Sequence, residues 1–479
     1  MKPIPWEVTL GEVMLALLLV MLWAAMRWAA MASDREGRSR FRSDLVLALL
    51  GVGVFTVYLS NSKRLIQMDT QLATFAAISL IESGDLDVDE FRPVIDPLLG
   101  VAVKGPNGHF YSFYLPGSTL ACLPFMLLPV VAKLAPSLVL LDVVAKLSAA
   151  SWTAVAVVLL FGALRRYAPA GALVAALAFA FGTIAFSSAS QDLWQHGPSM
   201  AGLAMALLLV VRDRNSVGTG LLLGAALGWA VLCRAPNLLP ALVLFLFVLM
   251  RRRRAAAWAA IGAVPFALVT VWVNVLSTGS PFVFAQAKHF QMGNFDTPVF
   301  AGLAGLLFAP SRGLFVYSPF LLLALIGVVR EVRSISRGAA AEGRTAVPLG
   351  AIGLVAAIPL LLLLAAWTEW FGGWSYGYRI VGEASLLLTP AFAAFVASEP
   401  MRLMRRAAVL TLVGLSFAVH SLQVYFPDDS WNASHIVNGR VVGVWNLRLS
   451  DTQIAWHLRA LGRWLRATEQ PAGARPPAN

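Results

Sequence analysis

The stretch that decides the fold is residues 346–366, AVPLGAIGLVAAIPLLLLLAA, a run of 21 residues without a charged side chain. A run of this length can cross the hydrocarbon core of a bilayer as an α-helix. Similar apolar runs recur along most of the 479 residues, and each ends in a small group of Arg, Trp, Gly or Pro residues. With 58% hydrophobic and 13% charged residues, the chain has too little polar surface for a protein dissolved in water. The sequence therefore predicts an all-α polytopic membrane protein.

The apolar runs predict about twelve transmembrane helices. Some runs are shorter than the roughly 20 residues of a full crossing, so their boundaries are approximate. The predicted spans are residues 8–31, 44–60, 138–164, 171–189, 197–211, 217–233, 237–250, 255–276, 314–329, 346–366, 380–397 and 407–424.

The first thirty residues resemble a secretory signal peptide, because Ala30-Met31-Ala32 has the form of a signal-peptidase cleavage site. The leading segment nevertheless contains Glu7 and Glu12, and Arg27 interrupts an apolar run that is longer than a usual signal core. We therefore expect that this helix is retained. Residues 1–43 would then form an extra N-terminal transmembrane helix and a basic cytoplasmic loop.

The distribution of charge predicts which side of the membrane each loop faces. Short loops rich in arginine account for the net charge of +12, and such loops lie in the cytoplasm. We therefore expect these arginines to orient the chain in the membrane and expect no nucleic acid as a partner. Residues 61–116 then form a large, acidic first periplasmic loop that contains interfacial helices. Residues 118–134 contain Pro124 and Pro129, and if they crossed the bilayer most later basic clusters would face outside. We expect them to be re-entrant or juxtamembrane, with a crossing helix as the alternative.

The cysteine and histidine spacing predicts no metal or redox centre. The two cysteines, Cys122 and Cys233, lie far apart, and the six histidines show no paired ligand spacing. Asp85, Asp87 and Asp89 alternate in a way that suits a divalent cation, but a solvated acidic turn is the simpler interpretation. We therefore expect no cofactor, with a divalent cation as the alternative that the sequence leaves open but does not indicate.

Polar segments gather on one predicted side of the membrane, which suggests a site there. They are residues 61–116, 191–198, the turn at Arg234, 277–313 and 367–379. The alternative is that outer loops are simply polar.

Asp69 stands just before the helical stretch 70–82 and has two compatible interpretations. Aspartate is among the best residues for capping a helix N-terminus. A carboxylate held at a membrane face can also act as general base, taking a proton from a hydroxyl as that hydroxyl attacks.

Three motifs, in this order along the chain, resemble those of the GT-C membrane glycosyltransferases. Asp69 precedes a helix, Tyr111-Ser112-Phe113-Tyr114-Leu115-Pro116-Gly117 leads into an apolar helix, and Gly372-Gly373-Trp374-Ser375-Tyr376-Gly377-Tyr378-Arg379 follows a late span. Ser311-Arg312-Gly313 adds a fourth, weaker piece. The chain is similar in this way to protein O-mannosyltransferases and the lipid A aminoarabinose transferase over residues 44–400.

The resemblance implies an inverting glycosyltransferase of the bacterial inner membrane. Such an enzyme moves a hexosyl or pentosyl unit from a polyprenyl-phosphate carrier to an acceptor hydroxyl at the periplasmic face, where the acceptor is a lipid, a glycan or a protein. Residues 44–276 would be the GT-C-like catalytic module, and 277–424 a periplasmic loop followed by C-terminal helices. Residues 425–479 would be a periplasmic segment that ends in a disordered tail, Gln470–Asn479.

The resemblance also suggests which residues form the site. Asp69 matches the catalytic aspartate of the first loop. Cations must stabilise the negative charge that builds on the departing phosphate, and arginine offers a bidentate fork to phosphate oxygens. The predicted phosphate-binding residues are Arg379, Arg234, Lys288 and Arg312. The predicted substrate-binding residues are Asp192, His196, Tyr111, Tyr114 and Glu383.

Each of these residues also has a structural interpretation. Arg379 would then be an interfacial residue that ends a helix, and Arg234 would bond exposed carbonyls between two short spans. Asp192 and His196 would belong to a polar turn. Functional rivals are a transporter or flippase of lipid-linked sugars, which requires polar residues within the spans, and a polysaccharide polymerase or ligase.

Overall fold

The computed structural model describes residues 40–61, 68–95, 102–134, 137–289, 295–336, 347–398, 403–437, 440–441 and 448–469. The predicted first span, residues 8–31, and the predicted tail, Gln470–Asn479, lie outside these ranges.

The N-terminal part consists of one long helix and a compact segment of short elements. The segment corresponds to the predicted first loop, and its two strands form an antiparallel hairpin in which Val103 pairs with Tyr111. The elements are α1 (Arg40–Leu59), α2 (Met68–Glu82), α3 (Arg92–Ile95), β1 (Ala102–Lys104), β2 (Phe110–Ser112) and α4 (Gly117–Val131).

The middle part is a bundle of apolar helices, with a short π-helix at Ala185–Ala189. Its helices are α5 (Leu138–Tyr167), α6 (Ala172–Phe181), α7 (His196–Val211), α8 (Val217–Cys233), α9 (Leu238–Arg251) and α10 (Arg253–Thr278).

The C-terminal part adds further helices to the bundle and ends in a helix that packs on α17. Its elements are α11 (Ala285–His289), α12 (Val299–Phe308), α13 (Leu314–Tyr317), α14 (Leu321–Ser336), α15 (Leu349–Ala366), α16 (Gly382–Ala397), α17 (Leu403–Tyr425), α18 (Ser430–Ser434), β3 (Ile436–Val437), β4 (Arg440–Val441) and α19 (Gln453–Glu469).

Five of the described helical segments are long and apolar enough to cross a membrane by length and composition. Eight more apolar helices have 10–17 residues. The mainly helical fold is confirmed, while the count of about twelve crossings stays a prediction. The five long segments are Leu138–Tyr167, Arg253–Thr278, Leu349–Ala366, Arg379–Ala397 and Leu403–Tyr425.

Three details of the predicted elements are wrong. The predicted span 314–329 is two helices, α13 and α14, because Pro319 cannot continue the first one. The predicted span 171–189 is interrupted at Gly182, where α6 ends. The predicted loop 277–313 contains the apolar helix α12, whose 10 residues are too few to stand out as a span.

Close helix crossings in the bundle depend on glycine. A Cβ at Gly224 of α8 would overlap the carbonyl oxygen of Ala259 in α10, and a Cβ at Gly353 of α15 would overlap that of Leu387 in α16. Small residues at such positions let helix backbones approach closely, which gains van der Waals packing that the lipid cannot provide.

The outer surface of α10 is apolar. Only 17% of the apolar 18-residue stretch of this helix is buried, and its side chains Ile261, Val264, Leu268 and Trp272 are exposed. A large apolar surface of this kind is stable against lipid tails and not in water.

Candidate functional site

The predicted base, Asp69, is the second residue of α2. Its side chain lies outside the part of the chain that the structure describes. The predicted helical stretch is buried on all sides from Thr70 to Ser79, where it is enclosed between α4 and α5. The next residue, Thr70, shows where this end of α2 lies, because its hydroxyl donates a hydrogen bond to Asp192 Oδ2 at 2.7 Å.

Asp192 is a buried carboxylate in the segment between the π-helix and α7. Its Oδ1 accepts a hydrogen bond from the backbone N–H of Leu193 at 2.7 Å, in addition to the bond from Thr70. Burial raises the pKa of Asp192 to about 7, and the charge of Asp142 raises it further, while the two hydrogen bonds and Lys146 act against the shift. The side chain can therefore exchange a proton near neutral pH, as a general base or acid requires.

Lys146 is a polar residue of this region that sequence reasoning missed. Its Nζ donates to Asn61 Oδ1 at 2.9 Å and also to Gln191 Oε1. Gln191 in turn accepts from Asn61 Nδ2 at 2.8 Å. The signal in the sequence is the pair Asp142 and Lys146, one helical turn apart inside a predicted span, where charges are rare and often functional.

Arg234 and Glu383 form a buried ion pair. Arg234 Nη1 lies 2.9 Å from Glu383 Oε2, and Arg234 Nη2 donates to the carbonyl oxygen of Ile380 at 2.5 Å. Glu383 Oε1 lies 3.0 Å from His196 Nδ1 and accepts from the Ser199 hydroxyl at 2.8 Å. The structure thus joins three predicted site residues in one network, in which the carboxylate of Glu383 compensates the charge of Arg234.

Arg379 lies on the face of an aromatic ring. Its guanidinium carbon is 3.6 Å from the centre of the Trp194 ring, and its Nη2 donates to the carbonyl oxygen of Gly372 at 3.4 Å. Trp194 is two residues after Asp192, so the predicted cation and the buried carboxylate meet at the same segment. Arg379 is partly exposed, whereas Arg234 is 7% and Arg312 is 0% exposed.

Arg312 is completely buried and its guanidinium is fully bonded. Nε donates to Phe371 O, Nη1 to Ser311 O and Gln453 Oε1, and Nη2 to Gly373 O and Asn432 Oδ1, at distances of 2.7–3.2 Å. These bonds use all five donors of the group. Burial lowers the pKa of Arg312 to about 10, so it remains charged at neutral pH. As placed, this residue holds the loop 371–379 and could reach a phosphate only by breaking these bonds.

Gln453 is a second residue of this region that could not be recognised as a site residue from the sequence. It is the first residue of α19, and its Oε1 accepts from Arg312 Nη1 at 2.7 Å, Tyr317 Oη at 3.1 Å and Gly377 N at 3.1 Å. Its Nε2 donates to Ser375 O at 2.8 Å. The C-terminal helix is therefore bonded directly to the loop that carries Arg379.

The glycines of this loop explain why it needs such support. Gly372, Gly373 and Gly377 have φ values of 77°, 60° and 60°, a backbone region that glycine adopts without steric cost. Three such residues also give the unfolded loop many alternative conformations, so bonds from Arg312 and Gln453 are needed to fix one of them.

The two predicted tyrosines of the first loop differ in exposure. Tyr111 is buried in the β1–β2 hairpin, and its hydroxyl accepts from Asn107 Nδ2 at 2.7 Å. Tyr114 stacks on Phe113 at 4.2 Å and is half-buried. Tyr114 lines a narrow groove together with Gln195, Ala235 and Gln286, so the first loop, the 191–198 segment, the Arg234 turn and the loop after α10 meet there.

One group of side chains in the first loop has the composition of a cation site. His109 Nδ1 lies 2.8 Å from Asp89 Oδ2 and 3.7 Å from Asp87 Oδ2, and Asp85 and Glu90 lie close to Asp87. The hydrogen bond to Asp89 raises the pKa of His109, which is exposed. The hydrogen bond between His109 and Asp89 contributes to holding this arrangement together.

Lys288, the remaining predicted phosphate-binding residue, is in α11, and its side chain lies outside the described residues. Among the predicted residues whose side chains are described, the structure brings Asp192 near Arg379 through Trp194, and brings Arg234, His196 and Glu383 together. Arg312, Tyr111 and Tyr114 lie in the surrounding loops.

Comparison with known proteins identifies the fold. No family model and no curated protein sequence matches the chain. Solved structures do match, among them two crystal structures. ArnT from Cupriavidus metallidurans bound to undecaprenyl phosphate is 17% identical, with 89% of this chain and 76% of that chain covered and a TM-score of 0.48. The Archaeoglobus fulgidus oligosaccharyltransferase in the apo form is 11% identical, with 90% and 61% covered and a TM-score of 0.50.

The likeness to the archaeal oligosaccharyltransferase confirms the GT-C-like fold that the sequence motifs predicted. This chain spans 61% of the length of that protein. Together with the long apolar helices, the shared fold makes the chain a multi-pass membrane protein.

Proposed function

We propose that the chain is an inverting glycosyltransferase that moves a sugar from a polyprenyl-phosphate-linked donor to an acceptor hydroxyl at the periplasmic membrane face. The observation that carries the proposal is the position of the segment Asp192–Trp194. It contacts the start of α2 through Thr70 and it contacts Arg379 through Trp194. The buried carboxylate of Asp192 and a cation therefore meet where the first loop joins the helical bundle.

The chemistry requires these two kinds of group at one place. A carboxylate takes the proton of the acceptor hydroxyl as its oxygen attacks the anomeric carbon from the side opposite the lipid phosphate. The new C–O bond forms while the bond to the phosphate oxygen breaks, and the phosphate departs with the negative charge. A cation placed at that oxygen lowers the barrier, because the charge develops only in the transition state.

We assign the role of base to Asp69, on its resemblance to the GT-C first-loop aspartate and on its position beside Thr70. Asp192 then orients the acceptor or the sugar hydroxyls through its hydrogen-bonding oxygens. Arg379 comes first among the phosphate-binding residues because it is partly exposed, and Lys288 remains a further prediction. Arg234 and Arg312, which are buried and bonded to protein groups, act by holding the loops of the site.

The fold agrees with this proposal, since it is shared with a protein named as an oligosaccharyltransferase. A transporter of lipid-linked sugars is the rival, and the charges of Asp142 and Lys146 inside α5 are of the kind that a transport path uses. The enzyme requires a new glycosidic bond, whereas the transporter requires only movement of the donor, so one assay separates them.

The experiment measures sugar transfer from a polyprenyl-phosphate donor pool in membranes that contain the native chain or Asp69→Asn at matched expression. We expect Asp69→Asn to lower transfer by about 10²–10⁴-fold while donor binding persists, because only proton removal is lost. Asp429→Asn, a change at an exposed aspartate, is the matched control and should transfer normally. Full transfer by Asp69→Asn would remove Asp69 as the base. Donor movement without transfer by the native chain would favour the transporter.

A further inference from the structure

A pocket of about 450 Å³ opens at the opposite end of the bundle from the candidate site. It is lined by Arg166, Val211, Arg212 and Arg214. Arg166 is in the last turn of α5, and Val211 ends α7, whose first residue is His196. The 16 residues of α7 span about 24 Å. The pocket and the candidate site are thus separated by most of the thickness of a bilayer.

The pocket is strongly positive because its arginines are not compensated. In the ranges that the structure describes, no carboxylate pairs with Arg212 or Arg214. Asp213 lies between them in sequence, but its carboxylate pairs with two other arginines. Its Oδ1 lies 3.3 Å from Arg252 Nε and its Oδ2 lies 3.7 Å from Arg251 Nη2.

A second carboxylate of the described residues lies at this end of α5 and is also engaged. Glu331 of α14 accepts hydrogen bonds from the Tyr167 hydroxyl and from the backbone N–H of Ala351, the latter at 2.6 Å. Arg166 Nη1 donates a hydrogen bond to the carbonyl oxygen of Gly162, in its own helix, at 2.8 Å. Neither acid therefore neutralises the pocket.

The positive-inside rule explains why arginines are on this side of the membrane, but it does not explain why they lie close together around a pocket. The positive-inside rule depends on the number of basic residues in a loop and not on their convergence. Here the ends of two helices and the following turn bring three arginines to the lining of one concavity. Its volume lies within the range of ligand pockets, about 300–1,000 Å³.

We propose that this pocket binds the phosphate group of an anionic phospholipid headgroup. Guanidinium groups match phosphate oxygens with paired hydrogen bonds. The pocket lies where α5 and α7 end, which is the level of the headgroups, and basic pockets between transmembrane helices bind anionic lipids in this way. A soluble phosphate offers the same chemistry, so the test includes it as a separate arm. This inference does not depend on the proposed transferase activity.

The experiment uses the purified full chain in phosphatidylcholine nanodiscs and follows thermal unfolding as phosphatidylglycerol is added, with inorganic phosphate added in a parallel series. The pocket variant is Arg212→Gln with Arg214→Gln. The matched control is Arg253→Gln with Arg254→Gln, which removes the same charge from exposed positions in the first turn of α10. All four side chains are exposed, so neither pair of changes threatens folding.

We expect phosphatidylglycerol to raise the unfolding temperature of the native chain and of the control. The pocket variant should bind the lipid about tenfold more weakly for each arginine removed, because one charge-assisted bond contributes about 1.5 kcal/mol or more. An effect of phosphatidylglycerol alone assigns the site to a lipid, and an equal effect of inorganic phosphate assigns it to a soluble anion. The proposal is overturned if the native chain and the pocket variant respond alike, or if the control loses as much binding as the pocket variant.

Discussion

Replacing Gln453 with methionine removes four side-chain hydrogen bonds and keeps a side chain of similar length. Three of the lost bonds join neutral groups, to Tyr317, Gly377 and Ser375, and the fourth comes from the charged Arg312. A neutral bond contributes about 0.5–1.5 kcal/mol and a bond to a charged group about 1.5–3 kcal/mol. Since bonds that share one amide are not additive, we expect a loss of about 3–5 kcal/mol.

The loss should be concentrated in the loop 371–379, because the Gly377 N–H and the Ser375 carbonyl lose their partner there. The assay is hydrogen exchange, read by mass spectrometry over that loop in the detergent-solubilised chain. A local opening energy that falls by about 3 kcal/mol corresponds to exchange about a hundredfold faster. The same variant should transfer sugar more slowly if the loop holds Arg379 at the donor phosphate.

Two variants serve as controls for this result. Gln453→Glu keeps an acceptor for Arg312, Tyr317 and Gly377 and loses the donor to Ser375, so its loop should exchange more slowly than that of Gln453→Met. Arg466→Gln alters an exposed residue of the same helix and should leave the loop unchanged. The reasoning is refuted if Gln453→Met stays folded and its loop exchanges at the native rate.

Two further predictions concern buried charges. Burial raises the pKa of Asp192 to about 7, so between about pH 4 and pH 7 the folded chain holds a proton that the unfolded chain has lost. The contribution of Asp192 to the free energy of unfolding therefore falls as pH rises through this window and is level above it. Asp192→Asn should flatten the slope of unfolding temperature against pH. An unchanged slope would contradict the raised pKa of Asp192. Arg234→Met should cost about 3–5 kcal/mol in thermal unfolding because it leaves the Glu383 carboxylate buried without its cation. Adding Glu383→Leu should recover part of that loss, and purely additive losses would speak against a coupled pair.

Much of the helical framework could be predicted from hydropathy alone. The predicted span 217–233 coincides with α8, and most other spans agree to within a few residues at each end. The failures have local physical causes. Pro319 interrupts a run that is apolar throughout, and α12 is too short to be distinguished from a loop by a window of about 20 residues.

The contacts of the site could not be predicted in this way, because they join residues that are distant in sequence. Arg234 and Glu383 are 149 residues apart, and Arg312 and Gln453 are 141 apart. No periodicity or motif relates such pairs, since a buried polar group selects its partner only after the helices have packed. Gln453 is a neutral amide within the predicted periplasmic segment 425–479, and nothing in its local sequence distinguishes it as a site residue.

The structure places three of the predicted phosphate-binding arginines in different surroundings. The charge of Arg234 is compensated by Glu383. The guanidinium of Arg312 donates hydrogen bonds to five protein oxygens, two of them in the loop 371–379. Neither can move toward a phosphate without leaving buried groups unpaired, which costs several kcal/mol. Arg379 is partly exposed and lies on Trp194, where the positive charge meets the aromatic face at little desolvation cost. Under the proposed function, the attraction of this part of the site for an anionic donor would depend mainly on Arg379, whose position depends on a loop rich in glycine. The C-terminal helix, through one glutamine, thereby becomes part of the predicted donor site without touching the donor.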